Sequence, residues 1–237
     1  MTSEIEKIKK IIAKVEGFLN NGEGEFLYNT AKKCNRRGVI VEIGSWMGKS
    51  TIFLGKGSKA GNQTKIYAID PHTGSVEHRE KYGNVWTYKN FKENIKVAEV
   101  NDIVFPIVKT SADAAQTFQD HIEFLFIDGD HRYKMVKLDF ELWYPKLLNG
   151  GIIAFHDSGS LGVRKVVKEF IYKSRNFKNI GFIGSIIYAK KTIKNSIRDR
   201  IRNRILLFVD KCAFIYHTIP FRKPSIQLRK RLFKLIR

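Results

Sequence analysis

The chain predicts an α/β fold, a doubly wound and mostly parallel sheet with helices on both faces, on three observations. Short apolar runs alternate with amphipathic segments through the middle of the sequence, the pattern of strand–helix–strand crossovers. Four of those runs end on a carboxylate, at Glu42, Asp70, Asp128 and Asp157. The first run also breaks into a turn with glycines at 44 and 48, just before a segment able to start a helix. Ligands of such sheets sit outside the carboxyl ends of the strands. Four acids on that one rim are hard to explain by stability alone.

Each element has its own signal. Ser3-x-x-Glu6 is a capping box ahead of Ile5, Ile8, Ile11, Ile12 and Val15 at helical spacing, so a helix is expected over 3–20, closed by Asn20-Asn21-Gly22. A second short helix is expected over 24–34. Val39–Ile43 reads as the first strand and 49–59 as its helix. Strand two spans 65–69 and closes on Asp70-Pro71. A helix over 88–97 precedes a strand at 103–108, which closes on Lys109 to Asp113. Phe124 to Ile127 is a strand running into Asp128, followed by a helix from about Met135 to Leu148. Asn149-Gly150-Gly151 turns into the strand 152–155, which meets His156-Asp157. A helix over 162–172 and late strands over 180–188 complete the alternation.

At 237 residues the chain suits one generous α/β domain with appendages. Cys34 and Cys212 lie far apart, form no metal-ligand pattern and point to a reducing, cytoplasmic setting. No charged-then-apolar leader opens the sequence, and no run of about 18 apolar residues occurs, so neither secretion nor membrane spanning is expected. The formal net charge is +20. From Lys190 to Arg237 there are 15 basic and two acidic residues, so most of the excess sits in the last fifth. The expected organisation is an N-terminal helical cap over 1–36, a ligand-binding domain over 37–190 and a basic amphipathic extension over 191–237.

The glycine turn narrows the ligand. Glu42-x-Gly44-x-x-x-Gly48 is not the dinucleotide Gly-x-Gly-x-x-Gly, and its glycine spacing is one short of a phosphate loop. The charge of Glu42 would repel phosphate. A glycine turn beside a carboxylate suits a ligand that offers hydroxyls and a cation.

Taken together, Glu42-x-Gly44-x-x-x-Gly48, Ala68-Ile69-Asp70-Pro71, Phe126-Ile127-Asp128-Gly129-Asp130-His131, Gly150-Gly151 and Phe155-His156-Asp157 resemble a class I S-adenosylmethionine-dependent methyltransferase with a Rossmann-like sheet. The likeness covers roughly residues 24–190. Within that superfamily the chain is similar to the small metal-dependent O-methyltransferases, of the catechol and caffeoyl-CoA types. It is most similar to the macrolide-sugar and cephalosporin-hydroxylase-like branch, methyltransferase family 24.

The resemblance implies roles. Asp70 would take both ribose hydroxyls of S-adenosylmethionine. Glu42, Gly44, Ser45, Trp46, Gly48 and Ser50 would hold its methionine end, and Ser111 and Ala112 would meet the adenine edge. Asp128 would border the cofactor and ligate a divalent metal, Mg²⁺ or Mn²⁺, with His156 and Asp157 as further ligands. His131 would be the general base, taking the proton of a metal-bound hydroxyl so that its oxygen attacks the sulfonium methyl in line. His156 departs from the pattern, since the sugar-modifying relatives often carry a carboxylate there. A histidine shifts preference toward softer ions, or it faces away and the metal is lost.

Blander readings stand beside these. Asp70 also reads as an Asp-Pro turn starter, Trp46 as core packing, Ser111 as a helix N-cap, and His131 as a partner for Asp130. His72 and His121 have no motif around them and read as surface residues. The long polar and aromatic loop 71–86 follows the ribose-binding strand and is expected to select the acceptor in part. That acceptor reads as a hydroxyl of a sugar, glycan or other small polyol or phenol.

In the tail, Ile193, Ile197, Ile201, Ile205 and Val209 recur every four residues, with Arg198, Arg200, Arg202 and Arg204 between them. That is a basic amphipathic helix. Its large apolar residues favour an anionic membrane surface, peripherally and on the cytoplasmic side. Nucleic acid competes on charge alone, and assembly into a homo-oligomer through the helix is a third option. Rival functions are an RNA methyltransferase and an inactive cofactor-binding adaptor.

Overall fold

The computed structural model describes residues 4–20, 22–74, 79–80 and 83–218, with side chains to residue 212 in the last helix. Ser3, the middle of the 71–86 loop and residues 219–237 lie outside the described residues. The elements are α1 (Glu4–Ile12), α2 (Glu23–Lys33), β1 (Val39–Ile43), α3 (Lys49–Lys59), β2 (Ile66–Ile69), α4 (Tyr88–Val97) and β3 (Val104–Ile107). They continue with α5 (Ser111–Thr117), β4 (Ile122–Ile127), α6 (Tyr133–Trp143) and β5 (Leu147–Phe155). Last come α7 (Leu161–Val166) with a π-helical turn (Val167–Tyr172), β6 (Phe177–Ile183), β7 (Ile186–Lys191) and α8 (Ile197–Thr218).

The seven strands lie in the order β3-β2-β1-β4-β5-β7-β6. β1 to β5 are parallel, and β7 pairs antiparallel with both β5 and β6. The chain leaves β1 toward β2 and β3, then returns to lay β4 on β1's other edge. This strand-order reversal puts a crevice at the carboxyl ends of β1 and β4, the ends that carry Glu42-Ile43-Gly44 and Asp128.

Successive strand residues point to opposite faces, and the core divides accordingly. Val39, Val41 and Ile43 join Leu125, Ile127, Trp143, Phe155 and Leu206 on the face covered by α5 to α8. Ile40 joins Ile8, Leu27, Ile52, Phe91 and Phe124 on the face covered by α1 to α4. The N-terminal helices α1 and α2 are thus part of one wall of this core. Glu42 falls on their side, beneath α3.

Several boundaries differ from those expected. The first helix stops at Ile12 rather than running to residue 20. The freed segment lets the Gly17 carbonyl accept from Lys49 Nζ (3.0 Å), a tertiary bond, and lets the Asn20 N–H donate to Glu23 Oε2 (2.6 Å) at the start of α2; a continued helix would forfeit both. The helix expected to reach Leu148 ends at Trp143, because Pro145 lies in a 3₁₀ turn and has no N–H to extend it. Leu147 then pairs with Ile122 and already belongs to β5. After β3 the chain forms α5, capped by Thr110, whose hydroxyl accepts from the Asp113 N–H (3.2 Å). Ser111 is therefore not the N-cap. The late strands form an antiparallel hairpin at one sheet edge.

Candidate active site

The turn after β1 is shaped by its neighbours. Gly44 has φ +86°, and a Cβ there would overlap the carbonyl of Asp128 at the end of β4. Only a glycine lets the two strand ends come this close. Gly44→Ala is expected to lower stability by about 2 kcal/mol or more. Denaturant unfolding checks this, and an unchanged midpoint would mean the turn relaxes freely.

Gly48 (φ +89°) leads into α3, whose first turn carries Ser50 and Thr51. Glu42 is wholly buried below, and its Oε2 accepts from the Thr51 hydroxyl. Burial is the main cause that pushes its pKa up to about 8; hydrogen bonds from Ser50 and Thr51 oppose the shift, and the charges of Asp128 and Asp70 add to it. Glu42 Oε1 and Ser45 Oγ are buried with no hydrogen-bond partner among the described residues. Trp46 is half-buried on the turn, held in the left-handed region at φ +47°.

Asp70 sits at the end of β2, clamped by two backbone donors. The Trp46 N–H donates to Oδ2 (2.8 Å) and the His72 N–H to Oδ1 (2.6 Å). These bonds aim the carboxylate across the turn and leave it lone pairs for another partner. His72 is a correction, since it is buried rather than superficial. Its Nδ1 lies 2.9 Å from Thr87 Oγ1 and its ring packs on Tyr88 and Phe91. His121 is exposed. Ser111 Oγ accepts from Trp143 Nε1 (2.8 Å), so its hydroxyl is already engaged, while Ala112 is half-buried beside it.

Past β4 and β5 the acids and imidazoles gather. His131 Nε2 lies 3.1 Å from Asp157 Oδ2, not on Asp130, which Arg132 holds through its backbone N–H and guanidinium. That bond to Asp157 raises the His131 pKa, against the opposing effect of burial. Single ligand atoms of Asp128, His131 and Asp157 lie within 4.8 Å of one another. His156 approaches the same carboxylates from the buried side. Its Nδ1 is 3.0 Å from Asp128 Oδ1 and 3.2 Å from Asp157 Oδ2, yet no aligned hydrogen bond forms there. Asp157 itself adopts φ +49°, strain of a kind concentrated at functional sites.

Glu23, a residue the sequence did not single out, lies behind His156. It is fully buried at the first turn of α2, and its Oε2 is 3.2 Å from His156 Nε2. Its Oε1 accepts from the Ser185 N–H (2.6 Å) and hydroxyl (2.9 Å) in the β6–β7 turn. Gly184 in that turn has φ +60°, and a Cβ there would strike the Glu23 carboxylate. Burial works against the charge of Glu23, but bonds from His156, Ser185 and Asn20 bring its pKa down to about 2. Burial also works against a charged His156, and Asp128, Asp157 and Glu23 together push its pKa strongly up. A capping acid on an early helix was the only signal in the sequence, and it reads as an ordinary helix start.

A sequence profile described as "Methyltransferase domain" matches residues 41–158, about half of the chain, from β1 through this acid–imidazole cluster. Those residues belong to that methyltransferase family. Two curated relatives align with this chain. One is the uncharacterized protein y4gI of Sinorhizobium fredii, 31% identical over 160 residues, which are 64% of this chain and 17% of y4gI. The other is the uncharacterized protein R132 of Acanthamoeba polyphaga mimivirus, 32% identical over 136 residues, 56% of each. The chain therefore spans less than two thirds of either relative. Its fold matches the O-methyltransferase NovP at TM-score 0.62 and 17% identity, over 71% of this chain and 79% of NovP. It also matches the O-methyltransferase TomG of Streptomyces achromogenes in complex with S-adenosylmethionine, at TM-score 0.57 and 16% identity, over 81% and 91%.

Proposed function

We propose that the protein is an S-adenosylmethionine-dependent O-methyltransferase acting on a hydroxyl of a sugar, glycan or other small polyol or phenol. The observation that carries this is the convergence of Asp128, His131 and Asp157 beside the Gly44 turn and Asp70, on one sheet rim. TomG, a fold relative, binds the same methyl donor. The residues present fit it. Asp70 would accept from ribose hydroxyls with the lone pairs its backbone donors leave free. The unpartnered Glu42 Oε1 and Ser45 Oγ suit the ammonium end, with Gly48 and Ser50 opening the helix above. The cofactor supplies an electrophilic methyl group on a sulfonium.

The donor set also fits a divalent cation. Two carboxylates, Asp128 and Asp157, offer oxygen atoms close enough to share one ion. His156 Nδ1, near both acids and unaligned for a hydrogen bond, would be the third ligand atom, on the buried side. An ion held there would lower the pKa of a bound hydroxyl. His131, 39% exposed at its side chain, is placed to accept the acceptor's proton, and Asp157 orients its ring. Glu23, through His156 Nε2, keeps Nδ1 turned toward the acids, an arrangement that orients metal-binding histidines.

Titration calorimetry with S-adenosylhomocysteine tests the reading. Binding that is lost in Asp70→Ala, with EDTA-sensitive methyl transfer to a panel of sugars and phenols, is the expected result. No heat from either the donor or its product would sink it. Binding without turnover on sugars, phenols or RNA would mark an adaptor instead.

Glu42 adds a pH signature. Its folded pKa is raised from 4.5 to about 8, so its burial costs stability increasingly as pH rises between those values. A bound ammonium needs the ionised form. Binding below about pH 8 should therefore release a proton, and affinity should rise with pH toward 8, by up to about tenfold per unit. Calorimetry in buffers of different ionisation heat reads this directly. Proton release that persists in Glu42→Gln would assign it to another group.

A further inference from the structure

We propose that the outer face of α8 seats the protein on an anionic lipid surface. The helix has two unlike sides. Asn203, Leu206, Leu207 and Asp210 are buried against the domain, where the Asn203 side chain donates to the Phe177 carbonyl (3.0 Å). Asp210 pairs with Arg164 of α7 (2.7 Å), so the helix is anchored in a fixed rotation. The isoleucine row that the sequence marks as apolar is not the docked side. Ile197 (67% exposed), Ile201, Ile205 and Phe208 (68% exposed) form a stripe that faces outward, at the spacing that aligns residues along one helix face. Exposed Lys194, Arg198, Arg204 and Lys211 accompany it.

Charge decides the occupant. The two acids of α8 are both drawn away from the outer face. Asp199 accepts from the Ser196 N–H and hydroxyl at the helix start, and Asp210 turns inward to Arg164. Among the described side chains, to residue 212, the outward face therefore carries cations and apolar groups and no acid. A further group of cations lies alongside, where Lys168 and Lys211 edge a notch of about 220 Å³ between α7 and α8. Large apolar residues flanked by Arg and Lys, on a helix held parallel to the surface, are what an anionic bilayer interface accommodates.

Other occupants fit less well. A second copy meeting this face on itself would set Arg198 and Arg204 against their own counterparts. Nucleic acid would gain the cations but leave Ile197, Ile201 and Ile205 against phosphate and sugar. No helix among the described residues is long and apolar enough to cross a membrane, so the contact is one of lying on the surface. The proposal does not depend on the methyltransfer chemistry.

Sedimentation of the full chain with vesicles tests it. Binding is expected to phosphatidylcholine vesicles that contain phosphatidylglycerol, not to phosphatidylcholine alone, and it should weaken as salt rises. The double variant Ile201→Glu/Phe208→Glu should bind about tenfold more weakly or worse, with its melting temperature and S-adenosylhomocysteine binding unchanged, because neither side chain packs on the domain. Arg198→Glu/Arg204→Glu should behave alike. Residues 219–237 add seven more basic side chains and no acid, so variants that sediment as well as the parent would assign lipid affinity to that segment and overturn the proposal. A parent that ignores both vesicle types would overturn it too. So would a parent whose dimer in solution is lost in the same variant, or one that shifts RNA only while the α8 face is intact.

Discussion

Replacing His131 by alanine is expected to slow methyl transfer by about 10²–10⁴-fold while leaving affinity for S-adenosylhomocysteine nearly intact. In the proposed mechanism the imidazole serves the chemistry and not the cofactor's grip. It lies on the acid side of the crevice, bonded to Asp157 Oδ2 at 3.1 Å, whereas Asp70 follows β2, on the other side of β1. A base acts only when neutral, and Asp157 raises the His131 pKa above its ordinary 6.5. The rate should therefore climb with pH and reach its plateau later than a free imidazole would allow. Any stability this bond contributes is full below the unfolded value and is lost as pH rises through the folded one. Asp157→Asn should bring the rising limb of the pH–rate profile back down toward 6.5, along with a lower rate. Turnover unchanged in His131→Ala would remove the residue from the mechanism. A rising limb that does not move in Asp157→Asn would remove Asp157 as its partner.

The largest stability effect is expected at Glu23. Glu23→Gln keeps the shape but removes the charge that faces His156, and it turns an amide donor toward groups that are themselves donors. A buried ion pair broken on one side costs about 3–5 kcal/mol. The carboxyl pKa falls from 4.5 to about 2 in the folded protein, which by linkage corresponds to about 3 kcal/mol. The sign is that of a depressed acid. The stabilisation is complete above pH 4.5 and disappears as pH falls through about 2. Urea unfolding of parent and variant across that range should show a gap that is wide at pH 7 and closes at the acid end. A gap that stays constant would mean lost packing rather than lost charge. Turnover should fall as well, because His156 loses the partner that holds its ring, while cofactor binding at Asp70 should persist.

Much of the fold is legible in short-range pattern. β1, α3 and α4 occupy the residues their periodicity predicts, because each has a clean apolar repeat and a glycine, proline or polar break at its ends. The antiparallel hairpin β6–β7 is not legible in that way. Its strands carry no alternation that tells parallel from antiparallel, and only its pairing with β5 settles the direction. The end of α1 is equally opaque, since apolar spacing runs on to Val15 and a tertiary bond at Gly17 and the cap of α2 at Asn20 override it.

The site divides on the same line. Glu42, Asp70, Asp128 and Asp157 were placed correctly at strand ends, because a parallel sheet brings all such ends to one rim whatever the loops do. The burial of His72 is not legible in the sequence, because it depends on Tyr88 and Phe91, residues of a helix reached only after a long loop. Which nitrogen of His156 faces the acids depends on Glu23, which is 133 residues away in sequence.

By itself, then, the order of residues determined the strand alternation, the glycine turn under α3 and the ring of acids above the sheet, all consequences of contacts within a few residues. Tertiary structure alone decided three things: that Asp157 is shared by His131 and His156, that a helix-start glutamate closes the site from behind, and that the isoleucines of α8 look outward. These depend on distant segments competing for the same buried space, and no local periodicity encodes the outcome of that competition.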